Sequence, residues 1–206
     1  RLTMGINPYR FAWRLEPGEQ FVAPEAAMIF SDHGLGQMSR QFHKAIRCNL
    51  CRGPWKDSRR PILINNWEAT FFNFNADKIV SIAETAGKVG IEMMVMDDGW
   101  FGKRDSDFSG LGDWNVNEKK LPGGLAPLAQ RINDLGMKFG LWVEPEMVSE
   151  DSDLYRAHPD WAFQVPGRPM TRGRSQLVLD LTRQEVREYI LENLRTTLKS
   201  AHIEYV

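Results

Sequence analysis

The chain has 206 residues, 42% of them hydrophobic, enough to bury a sizeable core and to make one or two domains. Its 26 Lys and Arg balance 27 Asp and Glu, and the isoelectric point is near 6.5, so no global field draws nucleic acid or an anionic membrane and neither is an expected partner. No stretch approaches the roughly 20 apolar residues that a bilayer span requires.

Residues 1 to about 31 are short, aromatic and β-rich. Arg10-Phe11-Ala12-Trp13-Arg14-Leu15 alternates before the turn Glu16-Pro17-Gly18-Glu19, which predicts a hairpin or a sandwich edge. Leu35, Met38, Phe42, Ala45 and Ile46 recur at helical spacing from Gly34 to about Leu50, and Gly53-Pro54 and Arg59-Arg60-Pro61 then break the chain. A domain boundary is expected there. Cys48 and Cys51 form an isolated C-x-x-C with no second pair to complete a zinc site, so they read as reduced thiols of a reducing compartment.

From Pro61 the order becomes strand, helix, strand, helix. Pro61–Trp67 is a first strand; Asn75 is placed to cap a helix whose Ile79, Ile82, Ala83, Ala86 and Val89 share a face. Met93-Met94-Val95-Met96-Asp97-Asp98-Gly99-Trp100 is an apolar run ending in two carboxylates, as a strand covered on both faces would read. A loop rich in Gly and Asp precedes a helix marked by Leu125, Leu128, Ile132 and Leu135, and Lys138–Glu144 is a third strand. Glu150–His158 is a short helix; Leu177–Leu181 is expected as the fourth strand, with Thr182-Arg183-Gln184-Glu185 as the capping box of the next helix. His202–Val206 would open a fifth, so four βα units and a stub are expected, in a chain that reads as cut at both ends.

Such alternation makes a parallel sheet, either an eight-fold barrel or an open doubly wound sheet. Asn65-Asn66-Trp67, Asp97-Asp98, Glu144, Glu146 and Asp180 all fall at the carboxyl ends of successive strands, where barrel active sites gather, and no phosphate-binding Gly-rich turn follows Trp67. Acids, Asn and Trp without a histidine base suit a sugar, whose hydroxyls donate to carboxylates and whose C–H face lies on an indole; Trp67, Trp100 and Trp142 are the candidate platforms. Asp180 reads instead as stabilising local backbone, and at least one of Glu144 and Glu146 as pointing inward, either to support the site by hydrogen bonding or to touch substrate directly. Asp105, Asp107 and Asp113 are expected at the surface.

Asn66-Trp67-Glu68-Ala69-Thr70, Met96-Asp97-Asp98-Gly99-Trp100-Phe101-Gly102 and Leu141-Trp142-Val143-Glu144-Pro145-Glu146-Met147-Val148 resemble, in order and spacing, the signature segments of glycoside hydrolase family 36 α-galactosidases (melibiases). Pro8–Trp13, His158-Pro159-Asp160-Trp161 and Gly173–Asp180 extend the resemblance along the chain. It implies an α/β chain in which residues 1–55 end an N-terminal β-supersandwich (β-sandwich) domain and supply a linker helix, and residues 56–206 form the first half of a (β/α)8 TIM-barrel catalytic domain. It further implies a retaining, metal-free and cofactor-free glycosidase that releases terminal α-1,6-linked galactose from melibiose or raffinose through a covalent galactosyl intermediate. In this reading Asp97 and Asp98 hold the galactose O4 and O6 hydroxyls, Trp142 walls a subsite, Arg174 lies at the sugar and Trp67 neighbours it. The nucleophile, in a Lys-Trp-Asp segment of the fifth strand, and the acid/base fall beyond Val206, so no catalytic residue is expected within the chain. A cytoplasmic homo-oligomer, a tetramer, is expected of the full-length protein. A transglycosidase, a non-catalytic carbohydrate-binding protein, and a magnesium-dependent barrel enzyme with Asp97, Asp98, Glu144 and Glu146 as ligands are the alternatives.

Overall fold

A computed structural model describes residues 3–9 and 11–206, which fall into two compact units, Arg1–Arg60 and Pro61–Val206. In the first, the expected hairpin is present only as a turn. Glu19 N–H donates to Glu16 O at 3.0 Å, and the Phe21 ring meets Phe11 and Trp13 at 5.8 and 5.1 Å between centroids. No strand forms among the described residues before Gly34, because the arms touch through side chains rather than a backbone ladder, and a lone two-stranded ribbon gains little in water. Arg10, expected in that strand, lies outside the described residues. Helix α1 (Gly34–Asn49) follows as its spacing predicts, with none of its residues buried.

The second unit is built on a parallel three-stranded sheet of β1 (Leu63–Asn65), β2 (Met93–Met96) and β3 (Lys138–Leu141), in that spatial order. Helix α2 (Trp67–Thr70) is a single turn after β1. Helix α3 (Ala76–Lys88) crosses to β2 and starts where Asn75 accepts a hydrogen bond from Lys78 N at 2.9 Å. Helix α4 (Leu125–Asp134) crosses to β3. All four residues of β2 are buried, as its unbroken apolar run demands of a central strand, and Ile79, Val80, Ala83, Leu125, Leu128 and Ile132 close one core around the sheet.

The fourth strand departs from expectation. Leu177 and Val178 belong not to the parallel sheet but to a separate antiparallel one, in which β6 (Gln176–Val178) lies between β4 (Met147–Val148) and β5 (Arg172–Gly173). This small sheet packs Val148, Leu177 and Leu179 with helix α5 (Asp153–Ala157), Trp161 and Val186 as a second core, an insertion between β3 and helix α6 (Gln184–Lys199). What continues the parallel sheet is Tyr205: it bridges Gly140 in parallel, Glu204 N donates to Phe139 O at 2.9 Å and Leu141 N to Tyr205 O at 3.0 Å. The residues read as a fifth strand are therefore the fourth in the parallel order, and three βα units precede them rather than four. Gly140 permits this approach, since a Cβ there would stand 3.0 Å from both the Tyr205 ring and Val95.

The capping box does not form either. Asp180 Oδ1 accepts from both the amide and the hydroxyl of Thr182, at 3.0 and 2.6 Å, so that hydroxyl is taken before α6 begins, and α6 starts without a side-chain cap. Asp180 thus has the local backbone role its position suggested. No helix among the described residues is long and apolar enough to cross a membrane.

Candidate functional site

The carboxyl ends of β1, β2 and β3 are tied into one edge by backbone and side-chain bonds. Asn66, fully buried after β1, accepts from Asp97 N at 2.8 Å and donates through Nδ2 to Thr70 Oγ1 at 2.8 Å. Trp142 N donates to Met96 O at 2.9 Å, which sets the end of β3 beside the end of β2. The edge is built by main-chain register, and the polar residues follow it.

Asp97 is half-buried; its Oδ2 accepts from Asn65 Nδ2 and its Oδ1 from Asp98 N at 2.7 Å. The Asp98 side chain is 6% exposed and faces the Arg104 guanidinium, with Nε 3.0 Å from each carboxylate oxygen and Nη2 2.8 Å from Oδ2. Burial pushes the Asp98 carboxyl above its ordinary range, against the pull of Arg104, and the neighbouring carboxylates of Asp97 and Asp107 push the same way. The cation facing Asp98 is therefore supplied by a loop arginine.

Arg174 is exposed and left-handed, with φ of 53°. Its guanidinium stands 3.7 Å from Asp107 and 3.8 Å from Glu144, and Asp107 in turn lies 4.0 Å from Arg104. Asp98, Arg104, Asp107, Arg174 and Glu144 thus make one chain of alternating charge. Glu144 is the inward member of the Glu144–Glu146 pair: Glu146 is exposed, while burial raises the Glu144 carboxyl in spite of Arg174. Asp107 Oδ1 and Glu144 Oε2 are shielded from solvent and accept no hydrogen bond.

The tryptophans divide. Trp142 is half-buried, with its ring stacked parallel to Phe101 at 6.5 Å. Trp67 is half-buried and meets Phe71 and Phe72 edge-on at 5.3 and 5.0 Å. Phe72 in turn underlies Arg104 at 5.6 Å, so Trp67 reaches the acids only through intermediaries. Trp100 is no platform at all: it is wholly buried against Phe101 and Trp114, and its Nε1 donates to Trp142 O at 2.9 Å.

Two further expectations change. Asp113 is buried rather than at the surface, accepting from Asp153 N and Leu154 N at 2.9 Å each and so holding the first turn of α5. Arg104 and Lys120, both missed in the sequence, are the organising cations. Lys120 Nζ donates to the carbonyls of Phe72 and Gly99 at 3.0 and 2.9 Å and pairs with Asp105 at 2.7 Å. The magnesium reading finds no support in the arrangement of its donors: both Asp98 oxygens face Arg104, Glu146 points outward, and among the described residues no three His, Cys, Asp or Glu side chains are grouped to hold a metal ion.

The sequence model of the Melibiase family matches residues 20–206, most of the chain. The chain belongs to the Melibiase family. It is 58% identical over its whole length to "Alpha-galactosidase AgaA" of Geobacillus stearothermophilus and 51% identical to "Alpha-galactosidase Mel36A" of Lactobacillus acidophilus, in each case spanning 28% of the relative. The crystal structure of the GH36 α-galactosidase AgaA superposes with a TM-score of 0.92 over 98% of this chain and 28% of that one. Variants of the same Geobacillus enzyme, 57% identical to this chain, have been crystallised in complex with raffinose and with stachyose, matching over 98% of this chain and 28% of theirs with TM-scores of 0.92 and 0.91. The family resemblance carried by the segments around Asp97-Asp98 and Trp142 is thus found along the chain, which spans just over a quarter of the relatives' length.

Proposed function

We propose that the protein to which this chain belongs is a retaining α-galactosidase, acting on terminal α-1,6-linked galactose in oligosaccharides such as raffinose. The observation that carries the reading is the edge of the parallel sheet where Asp97 and Asp98 stand beside Trp142 and Glu144, in a chain 57% identical to enzymes crystallised with raffinose and stachyose. Carboxylates fixed by backbone and guanidinium donors retain lone pairs for sugar hydroxyls, and the half-buried Trp142 indole offers an apolar wall.

In this reading residues 56–206 open a (β/α)8 catalytic barrel, residues 1–55 close an N-terminal β domain, and Asp97, Asp98, Trp142 and Arg174 grip the galactose, with Trp67 behind them. The reacting carboxylates come from later in the protein. One attacks the anomeric carbon as the other protonates the departing glycosidic oxygen; the second then takes a proton from water, which hydrolyses the galactosyl ester with retention. Cytoplasmic location and assembly as a homotetramer belong to the same reading and rest on the family resemblance. The test is release of 4-nitrophenol from 4-nitrophenyl α-galactoside by the full-length protein with a metal chelator present: turnover supports the reading, and a folded protein without turnover overturns it.

A further inference from the structure

The charged chain at the sheet edge contains a residue with no assigned task. Arg104 is fully buried, and each of its three guanidinium nitrogens has a partner: Nε and Nη2 bind Asp98, while Nη1 donates to Ser109 O at 3.1 Å. Its backbone is held as firmly. Its N–H donates to Phe101 O at 3.1 Å, and the loop crosses it so closely that a Cβ on Gly110, at φ of 76°, would stand 2.8 Å from Arg104 N. Lys120 pins the neighbouring carbonyls of Gly99 and Phe72. Such a guanidinium has one arrangement available, and so has the carboxylate it grips.

A buried ion pair of this kind adds little stability over an apolar pair of similar volume, so stability alone is a weak reason to build one. Near it two acceptors, Asp107 Oδ1 and Glu144 Oε2, go without a hydrogen bond while shielded from solvent. A ligand bringing hydroxyl donors fits those open acceptors.

We propose that Arg104 is a positioning residue of the sugar site: its fork fixes the Asp98 carboxylate in one orientation, so that the remaining lone pairs of Asp98 receive galactose hydroxyls without reorganisation. This rests on the α-galactosidase reading above. The groups facing Asp98 are Asp97 on its own segment, Arg104 and Asp107 from the loop after β2, and Glu144 after β3, which is itself faced by Arg174. Of these Arg104 is the one that favours a charged Asp98 by direct contact. Without it the carboxylate is harder to ionise as well as free to turn, and both effects fall on substrate binding and turnover.

The test uses the full-length protein and 4-nitrophenyl α-galactoside, with kcat and KM measured across pH for the wild type, Arg104→Lys, Arg104→Met and Asp98→Asn. Arg104→Met should lose roughly 10- to 100-fold in kcat/KM, the worth of hydrogen bonds to a charged group, and its acid limb should move to higher pH. Arg104→Lys keeps the charge but not the fork; it should return the limb toward wild type while recovering only part of kcat/KM, and it carries the test if the Met variant does not fold. In the Asp98→Asn background, Arg104→Lys should cost nothing more. Folded Arg104 variants with wild-type kcat/KM, or with a loss that leaves the acid limb in place, overturn the proposal. A wild type that fails to turn over the α-galactoside instead removes the α-galactosidase reading, and the positioning role with it.

Discussion

Replacing Asn66 by Ala should loosen the whole sheet edge, because this residue is the clip between the ends of β1 and β2. Its Oδ1 satisfies Asp97 N at 2.8 Å and its Nδ2 reaches Thr70 Oγ1 at 2.8 Å, both out of contact with water. The Thr70 hydroxyl keeps its bonds to the carbonyls of Asn66 and Phe71, at 3.1 Å each, so little is lost on that side. The Asp97 amide keeps nothing. Orphaning this part-buried N–H costs about 1–2 kcal/mol, and the small cavity left by the fully buried Asn66 amide group adds to it, so a loss of about 2–3 kcal/mol is expected. Asn66→Asp is the control: its carboxylate can still accept from Asp97 N and can take the Thr70 proton, but adds a charge beside Asp97, so it should lose activity more than its hydrogen bonds suggest. Urea unfolding followed by tryptophan fluorescence reads the stability, compared at unchanged slope, and kcat/KM on 4-nitrophenyl α-galactoside reads the edge. An Asn66→Ala protein within about 0.5 kcal/mol of wild type would refute the clip, since that is the range of an ordinary surface change.

Gly110→Ala should destabilise and lower kcat/KM together, because φ of 76° and a Cβ 2.8 Å from Arg104 N force the loop off the guanidinium; thermal unfolding and steady-state kinetics read both. Trp142→Ala should raise KM by removing the proposed sugar wall, whereas Trp100→Phe should act on stability by about 1–3 kcal/mol, since it shrinks a fully buried ring and strips the donor from Trp142 O; the two are separated by KM against unfolding midpoint. Burial raises the Asp113 carboxyl above its unfolded value of 3.8, so its contribution to stability is present below that pH and is lost as pH rises through its folded titration. Relative to Asp113→Asn, the wild type should therefore lose stability as pH rises from about 3 to 7, and unfolding midpoints that run parallel across that range would contradict it.

The elements that carry their own local cause were legible in the sequence. The Met93–Met96 run could only be a covered strand, and Asn75 with its apolar stripe gave both the start and the buried face of α3. Gln176–Val178 was misplaced because a short apolar strand ending in an Asp reads alike in a parallel sheet and in an antiparallel insertion; what distinguishes it is pairing with Met147–Val148, a contact made at long range. Thr182 was misread because Asp180, two residues earlier, competes for the same hydroxyl. At the site, Asp97, Asp98 and Glu144 stood out because strand ends display them. Arg104 did not, since a lone arginine in a loop of Asp, Ser and Gly is by default solvated, and only the fold shows its side chain wholly buried against Asp98. Trp100 failed as a platform for the opposite reason: strand-end position says nothing about which side of the edge an indole takes, and its N–H found Trp142 O inside.

The measurement that bears most directly on the central claim is hydrolysis of 4-nitrophenyl α-galactoside by the full-length protein under chelation, wild type beside Asp98→Asn. The account predicts turnover by the wild type, unaffected by the chelator, and a kcat/KM reduced at least 10-fold in the folded variant, as expected when a hydroxyl-accepting charge is lost. A folded wild type without turnover, or an Asp98→Asn protein with undiminished kcat/KM, would contradict it.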